Sequence, residues 1–181
     1  MTVATDFLIV GAGVIGVSVA RELRQRYRGR VLVIEKESRP AQHASGRNSG
    51  VLHAGIYYGA NSLKARFCVE GNRRMRNYCA SNKLPINSGG KVIVATRLEE
   101  LSVLEELHRR GTANGVRVSW LDVKALREVE PSARTVEKAL YVKDTAVVDP
   151  LAVMEALVSD ARNEGVEFQF DCGWQRFDKD D

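Results

Sequence analysis

The sequence predicts an α/β fold in which helices cover a parallel β-sheet, and three observations predict it. Short apolar runs at 7–10 and 31–34 are typical of strands that are buried on both faces. A glycine-rich turn and a helical pattern separate these two runs. Near the end of the chain, a second clear helical pattern leads into a further strand-like run at 166–170. Strands that alternate with helices of this length indicate βαβ units.

The first helix is predicted from about Val14 to Tyr27, directly after the glycine-rich turn. Gly29 ends it. Its apolar residues recur at the spacing of one helix face. They are Val17, Ala20, Leu23 and Tyr27. The second buried strand follows, and Glu35 closes it.

The second helix is predicted from a cap at Asn61 or Ser62 to about Ser81. Its apolar residues mark the side that we expect to be buried. They are Leu63, Phe67, Met75 and Tyr78. Gly71 falls on the same side, which indicates a close helix contact at that point.

The rest of the chain mixes short strands with helices. Strands are predicted at 91–96, 116–120, 139–142 and 146–148. An amphipathic helix starts near Leu98 and stops at Asn114-Gly115, and a short helix starts at Asp122. The last helix starts at Asp149-Pro150, where a capping side chain precedes a proline in the first turn.

Composition and charge exclude several classes of protein. The chain has 27 Lys and Arg against 23 Asp and Glu, a net charge of +4, and its cations cluster at 21–30 and 73–76 on predicted helices. A solvated helix face explains such clusters better than a nucleic-acid surface. Three cysteines without a CxxC pair predict neither a metal site nor a disulfide framework. No apolar run reaches about 18 residues, and the first is too short for a signal peptide. We therefore expect a cytoplasmic protein, with peripheral membrane association left open.

The glycine-rich turn fits the pattern GxGxxG at Gly11, Gly13 and Gly16. It follows a buried strand and opens a helix, which is the context that this motif requires. The first glycine permits a sharp turn, the second lets a pyrophosphate approach the backbone, and the third lets helix and strand pack closely. The amides of the first helical turn, which include those of Val14 and Ile15, then face the anion.

Glu35, the acidic residue that closes the second strand, completes this fingerprint. It lies at about the expected separation of roughly 20 residues and can accept hydrogen bonds from the hydroxyls of an adenosine ribose. Its charge argues against NADP, whose ribose carries a phosphate. NAD and FAD share the fingerprint, so these residues alone do not choose between them. The alternative is a βα turn whose glycines serve packing only.

The segment 43–59, HASGRNSGVLHAGIYYG, is too rich in small residues for a core and too patterned for a linker. Preceded by Glu35-Lys36, the longer stretch HASGRNSGVLHAGIYYGANSLKARFCVEGN resembles FAD-dependent oxidoreductases of the D-amino-acid oxidase superfamily. Within that superfamily it is similar to the L-2-hydroxyglutarate oxidase or dehydrogenase group. The segments GGKVIVAT and AVVDP lie where that group has similar ones.

The resemblance implies a Rossmann-like, three-layer FAD-binding domain formed by residues 1–90 and 149–181. Residues 91–148 would then be part of an inserted α+β substrate domain. FAD is expected in the first βαβ unit, near Glu35 and Lys36, and its middle part is expected over the following loop. The loop residues expected to contact FAD are Ser45, Gly46, Arg47, Asn48 and Ser49. Arg47 could neutralise phosphate or hold a substrate carboxylate. The alternative for this segment is a surface Ω-loop packed on itself.

The reaction implied is the oxidation of an L-2-hydroxy acid, with 2-hydroxyglutarate expected, to the 2-oxo acid by hydride transfer to the flavin. Electrons would pass on to oxygen or a quinone. His53 is the expected catalytic residue, because an imidazole pKa of about 6.5 suits taking the hydroxyl proton. It could instead stabilise the reduced flavin, bond covalently to it, or be purely structural. Oxidation of an amino acid or amine is the alternative within the same class.

The chain is considerably shorter than the members of the family it resembles. Three accounts are open. The chain is a truncated frame or fragment of a longer enzyme, or half of a split enzyme that needs a second chain. In the third account it is a shortened, non-catalytic protein that only binds a dinucleotide.

Overall fold

A computed structural model describes residues 4–176 of the chain. Their nine strands are β1 (Phe7–Val10), β2 (Val31–Ile34), β3 (Val51–Leu52), β4 (Ile86–Asn87), β5 (Lys91–Val94), β6 (Val118–Asp122), β7 (Lys138–Val142), β8 (Ala146–Val148) and β9 (Glu167–Gln169). The five α-helices are α1 (Val14–Arg26), α2 (Leu63–Ser81), α3 (Leu101–Ala113), α4 (Val123–Val129) and α5 (Pro150–Asn163). A 3-10 turn at Leu98–Glu100 precedes α3. The described residues form two compact units, 4–49 with 149–176, and 50–148.

The first unit contains a parallel sheet in the order β1-β2-β9. All four residues of β2 are buried, as a central strand of a covered sheet requires. Val17 and Ala20 of α1 are buried, and α1 contacts β1, β2 and α5. The predicted α/β arrangement of two βαβ steps is thereby confirmed. Tyr27 differs from its prediction: it lies beyond the end of α1 and is 54% exposed.

The last helix of this unit, α5, starts as its sequence predicts. The Asp149 carboxylate accepts hydrogen bonds from the amides of Leu151 and Ala152, and Pro150 occupies the first helical position. The apolar stripe of α5 is buried. Its buried members are Val153, Met154, Leu157, Val158 and Ala161.

The second unit combines two antiparallel sheets with three helices. The sheets have the strand orders β3-β8-β4 and β5-β7-β6. One apolar cluster holds this unit together and includes Ile56, Leu104, Leu107, Leu140 and Val142. Gly111 of α3 belongs to the same contact, because a Cβ atom there would lie 3.1 Å from Cγ1 of Ile56.

The first boundary between the units differs from the one that the sequence indicated. We placed it after residue 90, whereas the structure places it between Ser49 and Gly50. The reason is strand pairing: β3 and β4 both pair with β8, which ties the chain on either side of α2 to the second unit. The second division between the compact units falls between Val148 and Asp149. The extents of the FAD-binding domain and the substrate domain stay predictions.

The buried side of α2 also differs from its prediction. Leu63 and Phe67 are 63% and 72% exposed, while the buried residues of the helix are Ala65, Asn72 and Cys79. The buried residues of α2 have small side chains, and one of them carries a polar amide. The pattern of large apolar residues in the sequence therefore did not indicate the buried side. Gly71 makes no close contact either, since nothing lies within 4 Å of the position of a Cβ atom there.

Among the described residues, no helix is both long enough and apolar enough to cross a membrane.

Candidate functional site

The glycine turn after β1 has the geometry that its motif predicts. Gly11 has a φ of +100°, a value that L-residues with side chains rarely adopt, and its amide donates to the Ile34 carbonyl at 2.8 Å. A Cβ atom at position 16 would clash with the carbonyl oxygen of Gly11. Gly16 is therefore required for the close approach of α1 to the end of β1. The predicted roles of Gly11 and Gly16 in turn and packing agree with this geometry.

The N-terminus of α1 lies directly after this turn, with Gly13 as its capping residue. The first amides of a helix have no acceptor within the helix, so they are available to an anion. One of them is engaged here, because the amide of Val14 donates to Oγ of Ser45 at 2.9 Å. The same Oγ lies 3.0 Å from the position that a Cβ atom of Gly13 would occupy. Ser45, 31 residues away from Val14, is thus placed at the helix N-terminus.

Glu35 is turned towards the glycine turn. Its Oε2 accepts a hydrogen bond of 2.7 Å from the amide of Ala12, and its Oε1 accepts one of 3.1 Å from the amide of Glu37. The carboxylate is therefore fixed by backbone on both oxygens. Each oxygen retains a further lone pair that can accept from a ligand hydroxyl.

Lys36 is exposed, and its ammonium lies 3.3 Å from Oε1 of Glu37. The same carboxylate oxygen lies 2.8 Å from Nε2 of His43. The hydrogen bond with His43, and then that with Lys36, lower the pKa of Glu37. A contact of Lys36 with a cofactor stays a prediction.

The loop at 45–49 packs closely against its own unit. A Cβ atom on Gly46 would clash with the Ala41 carbonyl oxygen and would lie 2.8 Å from Cδ2 of Leu151 in α5. The Asn48 amide donates to the carbonyls of Ala44 and Ser45. These contacts within the unit are sufficient to explain why a glycine occupies position 46 and an asparagine position 48, as the Ω-loop alternative proposes. Their contacts with a cofactor stay predictions.

Arg47 and Ser49 are exposed, so the fold leaves both side chains accessible. Residues of the loop and of α5 together line a cavity of about 260 Å³, and Arg39 and Arg47 are among them. The apolar wall of this cavity is formed by Leu151 and Met154.

This part of the first unit fits the diphosphate and ribose of a dinucleotide. The backbone turn is free of side chains at Gly11, where nothing lies within 4 Å of a Cβ position. The N-terminus of α1 supplies amides, Ser45 a hydroxyl and Glu35 an oriented carboxylate. The amide of Ile15 belongs to the same first turn, as predicted.

His53, the predicted catalytic residue, lies in the second unit, immediately after β3, and its side chain is exposed. The segment 52–58 that carries it is held by side chains of α2, of α3 and of Asn114, the residue that follows α3, which donate to its carbonyl oxygens. Sγ of Cys68 donates to the His53 carbonyl (3.1 Å), and Nδ2 of Asn72 donates to the carbonyls of Leu52 (3.0 Å) and His53 (3.2 Å). Nδ2 of Asn114 donates to the carbonyls of Gly55 and Tyr58 (3.0 Å each). Nη1 of Arg110 donates to the Tyr57 carbonyl (3.4 Å). The backbone beside the exposed imidazole is therefore fixed.

Asn72 is the centre of this arrangement and was not singled out by the sequence. It is buried, and its Nδ2 also donates to the Asp144 carbonyl at 2.9 Å. Its Oδ1 accepts from Nε of Arg76, whose Nη2 donates to the carbonyls of Asp144 and Thr145. Asn72 and Arg76 thus join the end of β3 to the turn between β7 and β8. Their spacing of one helical turn was the only signal in the sequence.

The comparisons with known proteins define the class. The model of the DAO family, described as FAD dependent oxidoreductase, matches residues 6–181. The chain belongs to this family of FAD-dependent oxidoreductases, and its fold is the Rossmann-like α/β fold that the sequence predicted. FAD is the cofactor of the family.

Particular relatives narrow the comparison further. The chain is 39% identical over 168 residues to L-2-hydroxyglutarate dehydrogenase of Escherichia coli K12. The aligned region covers 92% of this chain and 40% of that relative. It is 38% identical over 158 residues to the mitochondrial L-2-hydroxyglutarate dehydrogenase of Dictyostelium discoideum, covering 86% of this chain and 35% of the relative. The resemblance seen in the sequence is thereby confirmed.

A solved structure is similar over the same part. L-alpha-glycerophosphate oxidase from Mycoplasma pneumoniae with FAD bound matches 94% of this chain and 45% of its own, with a TM-score of 0.84 and 30% identity. The chain thus spans less than half the length of the relatives and structures that it matches.

Proposed function

We propose that this chain binds FAD in its first unit and takes part in the FAD-dependent oxidation of an L-2-hydroxy acid to the 2-oxo acid. The carboxylate of Glu35, which accepts from the amide of Ala12 beside the glycine turn, is the observation that carries the proposal. It sets a ribose acceptor next to the helix N-terminus that would hold the diphosphate.

The roles of the binding residues follow from their positions. Amides at the start of α1, including that of Ile15, would donate to the diphosphate, and the Ser45 hydroxyl would donate to it while accepting from Val14. The open turn at Gly11 and Gly13 would admit the diphosphate to the backbone. Glu35 would accept from the ribose hydroxyls. Arg47, Ser49 and Lys36 are accessible for polar contacts with FAD, and contacts of Asn48 and Gly46 would be made through their backbone.

FAD held by the amides at the start of α1, the Ser45 hydroxyl and the Glu35 carboxylate would supply a hydride acceptor for oxidation of the carbon that carries the substrate hydroxyl. The proton of that hydroxyl needs an acceptor, and we propose the exposed imidazole of His53 for this role. The hydrogen bonds from Cys68 and Asn72 to the His53 carbonyl support it, because they fix the backbone on which the base is mounted. The electrons are proposed to pass on to oxygen or a quinone.

The proposed substrate is L-2-hydroxyglutarate. The support is the 39% identity with a dehydrogenase named for that compound, over 92% of this chain. An amino acid or amine as substrate is the second candidate. It is favoured by the structural similarity to glycine oxidase from Geobacillus kaustophilus, with a TM-score of 0.81 and 25% identity.

We propose that catalysis needs this chain together with a polypeptide segment that corresponds to the rest of its longer relatives. The chain covers 40% of the dehydrogenase from Escherichia coli K12. The rest could come from a continuation of the same reading frame or from a second polypeptide. Reading the DNA past codon 181 separates these two sources. A chain that binds FAD but shows no reduction with any added partner would support the non-catalytic alternative.

The experiment begins with the purified chain and added FAD, whose absorbance in the protein fraction reports binding. L-2-hydroxyglutarate, its D-isomer and glycine are then added separately, without oxygen, to the chain combined with the remaining length of the enzyme, supplied from the same reading frame or as a second polypeptide. Bleaching of the flavin by the L-hydroxy acid alone is the expected result. Bleaching by glycine alone would replace the proposed substrate, and a chain that retains no flavin would contradict the proposed cofactor site.

A further inference from the structure

The segment 52–58 presents two polar side chains on a fixed backbone. Ala54 and Ile56 point into the core, with 4% and 1% of their surface exposed, whereas His53 and Tyr57 are exposed. The two aromatic rings lie 6.5 Å apart in an edge-to-face arrangement. Four side chains, from α2, from α3 and from the residue that follows α3, donate to the backbone here, so the backbone that carries the pair is fixed.

Lys91, the first residue of β5, adds a cation to this pair. Its Nζ donates a hydrogen bond of 2.7 Å to Oη of Tyr57. The phenol oxygen accepts in this bond, so the phenol proton remains available to another acceptor. An ammonium and a phenol donor thus lie side by side, next to the imidazole of His53.

Several cations of the same unit are already paired with carboxylates. Arg110 is paired with Glu106, Arg117 with Asp144, and Lys138 with Glu105. Within the described part of the chain, no carboxylate lies within 4 Å of the Lys91 ammonium. Its described partner is a neutral phenol, which leaves its charge uncompensated. A carboxylate ligand would supply the missing charge and accept from both donors.

We propose that Lys91 and Tyr57 form a subsite for a carboxylate group of the substrate, beside His53. The assignment rests on the proposed function for the class of substrate, a 2-hydroxy dicarboxylate. One carboxylate accepts from the Lys91 ammonium and the Tyr57 hydroxyl, which orients the rest of the molecule relative to the imidazole. Lys91 and Tyr57 then determine specificity for an acidic substrate, while the imidazole of His53 accepts the proton of the substrate hydroxyl.

Glutarate is a suitable probe, because it has both carboxylates but no hydroxyl to oxidise. Its dissociation constant is measured by NMR titration of the 181-residue chain, with and without FAD. The variants are Lys91→Met, which removes the charge at similar length, and Tyr57→Phe, which removes one donor. Lys124→Met is the matched control, since Lys124 is an exposed lysine on α4 of the same unit. Thermal midpoints show whether each variant remains folded.

The expected result is that Lys91→Met and Tyr57→Phe each weaken glutarate binding about tenfold, as the loss of a hydrogen bond to a charged group does. Lys124→Met should bind as the unchanged chain does. No glutarate binding by the unchanged chain overturns the proposal, and so does equal weakening by all three variants. Failure of FAD to bind would contradict the proposed function and not this proposal. In that case the glutarate titration without FAD would still decide the role of Lys91.

Discussion

The carboxylate of Glu35 and the amide of Ala12 are joined by a hydrogen bond of 2.7 Å, which connects the end of β2 to the glycine turn after β1. The second oxygen of this carboxylate is held by the amide of Glu37. The acid is therefore oriented by its own backbone, beside the N-terminus of α1. This arrangement is the physical basis for assigning a dinucleotide to the first unit.

Removing this carboxylate should weaken FAD binding. We expect Glu35→Ala to raise the dissociation constant for FAD about tenfold or more, because charge-assisted hydrogen bonds to the ribose are lost. Glu35→Gln should have an intermediate effect, since its amide group retains one acceptor oxygen. Quenching of flavin fluorescence measures the constant. Glu22→Gln, which changes an exposed carboxylate of α1, is the control. Equal affinities for all three variants would contradict the role of Glu35.

Two glycines should respond in opposite ways to replacement by alanine. Gly16→Ala should destabilise the chain by about 3 kcal/mol and abolish FAD binding, because its methyl group would clash with the Gly11 carbonyl. Gly71→Ala should stabilise it by about 0.5–1 kcal/mol, because Gly71 lies inside α2 with open space at its Cβ position. Urea unfolding measures both changes. A stable Gly16→Ala variant that binds FAD normally would refute the packing argument.

Asn72 should be sensitive to the kind of polar group that it carries. Asn72→Asp should destabilise the chain by at least as much as Asn72→Ala, about 2–3 kcal/mol, although it is nearly isosteric. The reason is that Nδ2 donates to three carbonyl oxygens, which a carboxylate cannot do.

Asn82→Asp is the matched control for this change, since the Asn82 amide is exposed and donates only to the Tyr78 carbonyl at the end of α2. Its free energy of unfolding should fall by no more than about 1 kcal/mol, the cost of an exposed carboxylate at the C-terminal end of a helix. If Asn72→Asp were tolerated as well as Asn82→Asp, the donor role of Asn72 would be wrong.

The ion pair between Asp144 and Arg117 should make the stability of the second unit depend on pH. Burial raises the pKa of Asp144, but hydrogen bonds from the Arg117 side chain and amide more than offset this, so the pKa lies below its usual value. A carboxyl group with a lowered pKa stabilises the fold above its unfolded pKa of about 3.9, and the contribution is lost as the pH falls through the folded value.

Asp144→Asn should therefore lower the free energy of unfolding by about 2 kcal/mol at pH 7. The difference from the unchanged chain should shrink as the pH falls below about 4. Urea unfolding at a series of pH values measures it. The lowered pKa of Glu106, about 2, remains in both proteins and contributes equally to their curves. A difference that does not shrink at all as the pH falls below about 4 would show that the Asp144 charge is not responsible.

The sequence predicted the elements that carry strong local signals. The apolar runs of β1 and β2, the glycine turn and the Asp149-Pro150 start of α5 all define structure within a few residues. The strands β3 and β4 were not predicted, because two residues show no periodicity. Their pairing with β8 is a long-range contact, and it places residues 50–90 in the second compact unit.

The candidate site was predictable to different degrees in the two units. Gly16 and Glu35 belong to a motif whose spacing reports its geometry, whereas Ser45 was indicated by the family resemblance. The structure places all three near the α1 N-terminus. Asn72 and Lys91 carry no such signal. Their partners, the His53 carbonyl and the Tyr57 hydroxyl, become neighbours only when α2 and β5 pack against the 52–58 segment.

The central claim, that the glycine turn and Glu35 hold FAD, is tested most directly by amide NMR of the chain during titration with FAD. The account predicts saturable shifts that are largest for the amides of Ala12, Gly13, Val14 and Ile15 and for the Ser45 backbone. A folded chain whose amides at 11–16 do not respond to FAD, or whose largest shifts lie elsewhere in residues 4–176, would contradict it.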